Sequence, residues 1–86
     1  MSYEVRRSDE FSRALRKLNN QEFFNQLDKK IPRLKENPYS VGGRLSGKYH
    51  GYFDFRLLRK YRVIFSIDEE NKIVKLHTIE HRDHAY

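Results

Sequence analysis

The sequence predicts an α+β domain of order β-α-α-β-β-β, with two N-terminal helices packed on one face of a small antiparallel sheet. Three observations lead there. Between residues 8 and 36 the apolar side chains recur at helical spacing. From Gly42 onward the pattern changes to period two, punctuated by Gly42, Gly43, Gly47 and Gly51, while β-branched and aromatic residues accumulate. With 86 residues and 37% apolar side chains the chain has material for one core, and no repeat, linker or low-complexity run divides it. Residues 1–86 are therefore read as a single domain.

Tyr3 and Val5 alternate with Glu4 and Arg6, which predicts a short first strand ending near Arg7. Ser8 offers an N-cap, Asp9 and Glu10 suit a first turn, and Phe11, Ala14, Leu15 and Leu18 fall on one helical face, giving a helix over about 8–18. Asn19, with Glu22 three residues on, opens a second helical pattern through Phe23, Phe24, Leu27, Ile31 and Leu34 to about Glu36. Pro32 lies inside that pattern and predicts a kink or a break, because proline removes a backbone donor and crowds the preceding turn. Three strands follow at about 52–58, 61–67 and 73–80, the last two joined by a loop in which Asn71 suits the left-handed position.

Alternation assigns the faces. Phe53, Phe55 and Leu57, then Tyr61, Val63, Phe65 and Ile67, then Val74, Leu76 and Thr78 are expected to meet the helices. Arg56, Arg62, Lys75, His77, Ile79 and His81 are thereby placed on the outer face, interleaved with Leu58 and Ile64. Such a face is either simply solvated or a binding surface. The segment from Arg44 to Arg62 favours binding: Arg44, Lys48, Arg56, Arg59, Lys60 and Arg62 stand against the single acid Asp54, with aromatic residues among them. Cations for phosphate beside rings for bases is a composition suited to single-stranded nucleic acid. Lys29, Lys30, Arg33 and Lys35 read as the solvated side of the second helix or, alternatively, as a contact to ribosomal RNA.

Composition excludes several classes. No cysteine is present, so disulfides, thiol catalysis and Cys-ligated zinc are ruled out. No apolar stretch follows the basic pair near the N-terminus, and nowhere do about 18 consecutive apolar residues occur, so a signal peptide and a membrane span are not expected. A cytoplasmic address fits. Eighteen Lys and Arg against twelve Asp and Glu give +6, which points to a polyanionic partner and not to a membrane.

Read in order, FSRALRKLNN in the first helix, LKENP at the end of the second, LSGKYHGYFDFRL into YRVIF, and the closing IEHRDHAY resemble the RelE/ParE toxin superfamily of type II toxin–antitoxin modules. The resemblance covers nearly the whole chain. It implies a toxin held inactive by a cognate antitoxin and, in the RelE-like branch, a ribosome-dependent endoribonuclease that cuts mRNA in the decoding site. The ParE-like branch shares the fold but poisons DNA gyrase, and a degenerate toxin would keep only antitoxin binding. Arg62 lies at the position of the family's catalytic arginine, and His81, Arg82 and Tyr86 match its polar C-terminal cluster. Either Arg56 or Arg59 fills a second arginine role. Gly43 stands about where YoeB-like members carry an acidic base, leaving the general base unassigned, and Glu80 replaces a common glycine.

Metal-free RNA cleavage by the substrate's own 2′-OH needs a base, cations for the phosphorane oxygens and an acid for the leaving oxygen. Arg56 and Arg62 would supply cations through planar guanidinium groups. His81 would serve as acid or base, Arg82 would neutralise a neighbouring phosphate, and Tyr86 would stack on or position a base. Arg44, Lys48, Arg59 and Lys60 are assigned to RNA and ribosome contact. Leu58, Ile64 and Ile79 are expected to form an apolar strip on which the antitoxin lies. No cofactor is expected, and no metal, since His81, Asp83 and His84 lack a fourth ligand. Operator DNA is expected only through the antitoxin complex.

Overall fold

Ser8 begins the folded frame by closing two gaps at once. In the computed structural model, which describes residues 2–82, its Oγ accepts from the Phe11 amide at 2.9 Å and donates to the His77 carbonyl at 2.7 Å. It thus caps helix α1 (Asp9–Leu18) and fastens it to the last strand. Asp9 and Glu10 in the first turn and Arg16 and Lys17 in the last complement the helix dipole. Asn19 ends the helix in the left-handed conformation (φ 45°), so it is the C-cap of α1. The second helix, α2 (Gln21–Glu36), is capped by Asn20, one residue later than expected; its Oδ1 accepts from the Phe23 amide at 3.0 Å.

Pro32 does not break α2, which runs through it as one element. Both Pro32 and Asp28, whose carbonyl would have received the missing N–H, lie on the exposed side where water can satisfy that oxygen. Leu27 and Leu34 on the opposite face are fully buried and hold the helix to the sheet on both sides of the proline.

Five strands make one sheet: β1 (Glu4–Arg7), β2 (Gly43–Arg44), β3 (Phe53–Leu57), β4 (Tyr61–Asp68) and β5 (Ile73–His81), in spatial order β1-β5-β4-β3-β2. The sheet is mixed and not purely antiparallel, because β1 pairs in parallel with β5, Val5 opposite Val74 and Arg7 opposite Leu76. The intervening helices provide the crossover such pairing needs. The two-residue β2 was not expected from the sequence. It adds to β3 through Gly43 opposite Asp54. In the β4–β5 turn Lys72, not Asn71, takes positive φ (55°), since Asn71 is occupied in hydrogen bonds to the Asp68 carboxylate.

Between the helices and the sheet sit Phe11, Phe23, Leu27, Leu34, Phe55, Leu57, Val63, Phe65, Val74 and Leu76, all buried. Phe53 stacks on Phe65 at 5.6 Å and forms the end of this core. Gly42 admits β2 to the sheet: a Cβ there would stand 2.0 Å from the Asp54 carbonyl oxygen. Gly42→Ala is therefore expected to lift β2 off β3 and to destabilise the fold by about 2 kcal/mol, read as a lower midpoint in chemical denaturation with an unchanged slope.

Candidate functional site

Alternation fails at one residue of β5, and that residue decides the site. Ile64 lies opposite Thr78 but Phe65 opposite Leu76, so His77 is an extra residue, a β-bulge. Beyond it every side chain of β5 changes face. Ile79 and His81 turn to the helical side, where they line a groove with Ala14, Lys17, Leu18 and Tyr61, and the His81 ring meets Tyr61 edge-on at 4.9 Å. Glu80 and Thr78 take the outer face instead. Arg62 and His81 are thus near one another along the ladder but on opposite faces, contrary to the shared face the sequence predicts.

Glu80 opposite Arg62 changes the electrostatics. The Arg62 Nη2 donates to Glu80 Oε1 at 2.6 Å, and its Nε lies 3.8 Å from Asp54 Oδ2. Tyr49 donates its hydroxyl to the other Glu80 oxygen. All three charged side chains are less than one-fifth exposed. Burial raises the Glu80 pKa, but the hydrogen bonds from Tyr49 and Arg62 outweigh it, leaving the carboxyl below its usual value. Asp54 goes the other way: burial lifts it above the usual aspartate value despite Arg62 and Arg56.

The loop before β3 completes this arrangement. It closes on itself through Leu45 N–H to Tyr52 O at 3.0 Å and crosses the outer face, with Gly51 at φ 91° making a turn other residues disfavour. Tyr49 and Tyr52 line a groove with Ile64, His77 and Thr78, and Ile64 is fully buried. Leu58, Ile64 and Ile79 therefore do not form an exposed strip. Leu58 is half-buried at the β3–β4 turn, Ile64 lies beneath the chain's own loop, and Ile79 packs toward the helices.

His77 stands in this outer cluster with its Nε2 2.8 Å from Ser66 Oγ and its ring 4.8 Å from Tyr52. Burial, and then the positive Lys75, hold it below the ordinary imidazole value, with Glu10 opposing weakly. A depressed histidine leaves the folded state less able than the unfolded one to take a proton. Stability is therefore expected to fall as pH drops from 6.5 toward the depressed value of the folded state. Thermal melts across that window should be flatter for His77→Gln.

The cations gather at the far end of the β3–β4 hairpin. Arg56, Arg59 and Arg82 line an open groove of about 750 Å³ with Gln26 and Leu58. The turn that presents Arg59 is unusual, with Leu58 and Arg59 both at positive φ (55° and 64°), and Gln26 Oε1 accepts from the Leu58 amide at 3.3 Å. The Arg82 amide donates to the Lys60 carbonyl at 2.8 Å, which closes β5 against the hairpin. Arg56 is exposed and is two residues from Asp54 on the same strand face. The other assigned cations are dispersed: Arg44 lies over the Phe53 ring at 5.6 Å, Lys48 over Tyr49 at 5.2 Å and Lys60 over Tyr61 at 5.6 Å. Tyr86 and His84 lie outside the described residues.

Sequence reasoning missed Gln26, Glu80 and the cover over Ile64. The basic segment 44–62 pointed to Arg56 and Arg59, but nothing in it announces which carboxylate Arg62 meets. Among the described residues no group of three or more candidate metal ligands occurs, and no helix is long and apolar enough to cross a membrane.

The family model described as "ParE toxin of type II toxin-antitoxin system, parDE" matches residues 5–86. Among solved structures, a chain of the RelBE2 toxin–antitoxin complex from Mycobacterium tuberculosis is 28% identical at a TM-score of 0.81, covering 95% of this chain and 100% of that one. A double-arginine mutant of the toxin RelE from Escherichia coli, in the free state, is 20% identical at 0.77, covering 99% of this chain and 88% of that one. A chain of the DinJ–YafQ toxin–antitoxin complex from Escherichia coli is 15% identical at 0.77, covering 100% and 99%. No curated protein matches the chain.

Proposed function

Since this chain belongs to the ParE toxin family of type II toxin–antitoxin systems and has the fold of RelE, we propose that it is a ribosome-dependent endoribonuclease that cleaves mRNA. One observation carries the reading: three arginines, Arg56, Arg59 and Arg82, line one open groove at the hairpin end, with no acid among its described lining residues. A cleft of that charge suits a phosphodiester passing through it, and guanidinium groups brace the extra charge of a phosphorane.

In this mechanism the substrate's 2′-OH attacks the adjacent phosphorus and the 5′-oxygen leaves. Arg56 and Arg82 hold the non-bridging oxygens, while Arg59 positions the strand at the mouth of the groove. Asp54 accepts the 2′-OH proton; burial makes it a stronger base than an ordinary aspartate, and it lies on the strand face of Arg56. Arg62, bound to Glu80, orients Asp54 and is not itself the phosphate clamp. His81 faces Tyr61 and the helices, away from Asp54, so the leaving 5′-oxygen takes its proton from solvent, and Tyr86 is retained only as a base-stacking group. A cognate antitoxin is the second partner, as in the complexes of the structural relatives. Its acidic groups would meet the arginine groove, so neutralisation and occlusion coincide. The cytoplasm, where ribosomes and mRNA are found, is the matching address.

The test is purified protein added to ribosomes stalled on a defined mRNA, with cuts mapped by primer extension. Cuts confined to the decoding site are expected. The second reading, which the sequence resemblance left open for the ParE-like branch, is binding of DNA gyrase. Inhibition of supercoiling by the purified protein, with no mRNA cut, would establish that reading instead.

A further inference from the structure

Gln26 belongs to two grooves. One is the arginine groove at the hairpin; the other, of about 300 Å³, runs on along α2 and is lined by Gln26, Lys29, Lys30 and Arg33. Residues 26, 29, 30 and 33 follow the i, i+3, i+4, i+7 spacing of a single helical stripe. Glu22, which accepts from Gln26 Nε2, and Glu36 bound the stripe at its ends. Between them there is no acid on it. Among the described residues Lys29, Lys30 and Arg33 make no ion pair. A rise of 1.5 Å per residue carries Arg33 about 10 Å beyond Gln26.

We propose that Lys29, Lys30 and Arg33 hold the phosphate backbone of the same single RNA strand that enters the arginine groove, so that the RNA surface continues past the cleavage site along α2. This rests on the RNA-cleaving function proposed above. A solvated helix face on a soluble domain usually mixes both signs at i, i+4 spacing. Here three cations line one side, and Gln26, whose amide also meets Glu22, joins them to three more. Gln26 also fixes the turn that carries Arg59, so both halves of the track are set by one side chain. Grooves that follow a nucleic-acid backbone without reading its bases are built this way, from charge and continuity.

The experiment measures binding of fluorescein-labelled single-stranded RNA, six and twenty nucleotides long, by anisotropy at several monovalent salt concentrations. The full chain is compared with the triple variant Lys29→Gln, Lys30→Gln, Arg33→Gln. Each phosphate contact on a single strand contributes about 0.7 to the slope of log affinity against log salt. The triple variant should flatten that slope by about 2 for the 20-mer and leave the 6-mer unchanged. Between 50 and 200 mM salt the wild-type affinity should then fall about 16-fold more than that of the variant. An unchanged slope with the 20-mer, in a variant with wild-type circular dichroism, overturns the proposal and returns the stripe to solvent. A loss seen only with duplex RNA assigns it to folded RNA, and a loss seen only in antitoxin affinity assigns it to a protein; both overturn the single-strand assignment. Primer extension on ribosomes is run in parallel. Wild-type cleavage with an unchanged slope rejects this inference alone, whereas a flattened slope without cleavage rejects the nuclease and keeps the RNA track.

Discussion

Arg62→Ala should lose about 3 kcal/mol of folding stability, a drop in Tm of roughly 10–20 °C for a domain of this size. The cause is what remains. With the guanidinium gone, Glu80 and Asp54 lose the cation they share, with side chains only 14% and 17% exposed. An exposed pair contributes about 0–1 kcal/mol and removing one partner of a buried pair costs about 3–5, so this partly buried triad lies near the lower end of the second range. Glu80→Gln should cost less, because Arg62 keeps Asp54 and a neutral acceptor. The double variant Arg62→Ala, Glu80→Gln should recover part of the loss by removing the charge that Arg62 neutralised. Calorimetry of the three variants settles it, and an Arg62→Ala variant melting with the wild type would show that the triad does not hold the sheet. Loss of toxicity in Arg62→Ala is thus no proof of a catalytic arginine unless the melting temperature is measured beside it.

Arg56→Ala should do the opposite, lowering cleavage a hundredfold or more while stability changes by less than about 0.5 kcal/mol. Arg56 is exposed and makes no ion pair among the described residues. Its removal takes away one cation of the groove and nothing from the core. Arg56→Lys should restore part of the rate, since the charge returns without the planar fork. Single-turnover cleavage on ribosomes measures the effect, and an Arg56→Ala variant that cuts at the wild-type rate removes Arg56 from the mechanism.

The two substitutions also mark where the sequence could be read and where it could not. Helix α1 announces itself through Ser8 and the Phe11, Leu15, Leu18 spacing, and β3 through Phe53, Phe55 and Leu57, because these are local patterns set by neighbours along the chain. Arg56 and Arg59 were legible for the same reason, as a cationic run with a single acid in it. The facing of Arg62 was not. It depends on one extra residue, His77, which moves Ile79 and His81 to the helices and Glu80 to the outside, and a bulge has no mark in the alternation until the partner strand is known. Ile64 misled in a similar way: the apolar residue on the outer face is covered by Tyr49 and Tyr52, which come from a loop the pattern of the strands says nothing about. The parallel pairing of β1 was equally hidden, since a four-residue strand carries no statement of its neighbour.

That pairing sets a timetable. The first strand to leave the ribosome, Glu4–Arg7, finds its hydrogen-bonding partner only in Ile73–Leu76, so at ordinary elongation rates it waits on the order of several seconds. Until then Val74 and Leu76, which fill the middle of the core, are missing, and Arg82 has not been made to complete its groove. Non-local closure of the sheet thus delays the assembly of both the core and the arginine groove until β5 has been made.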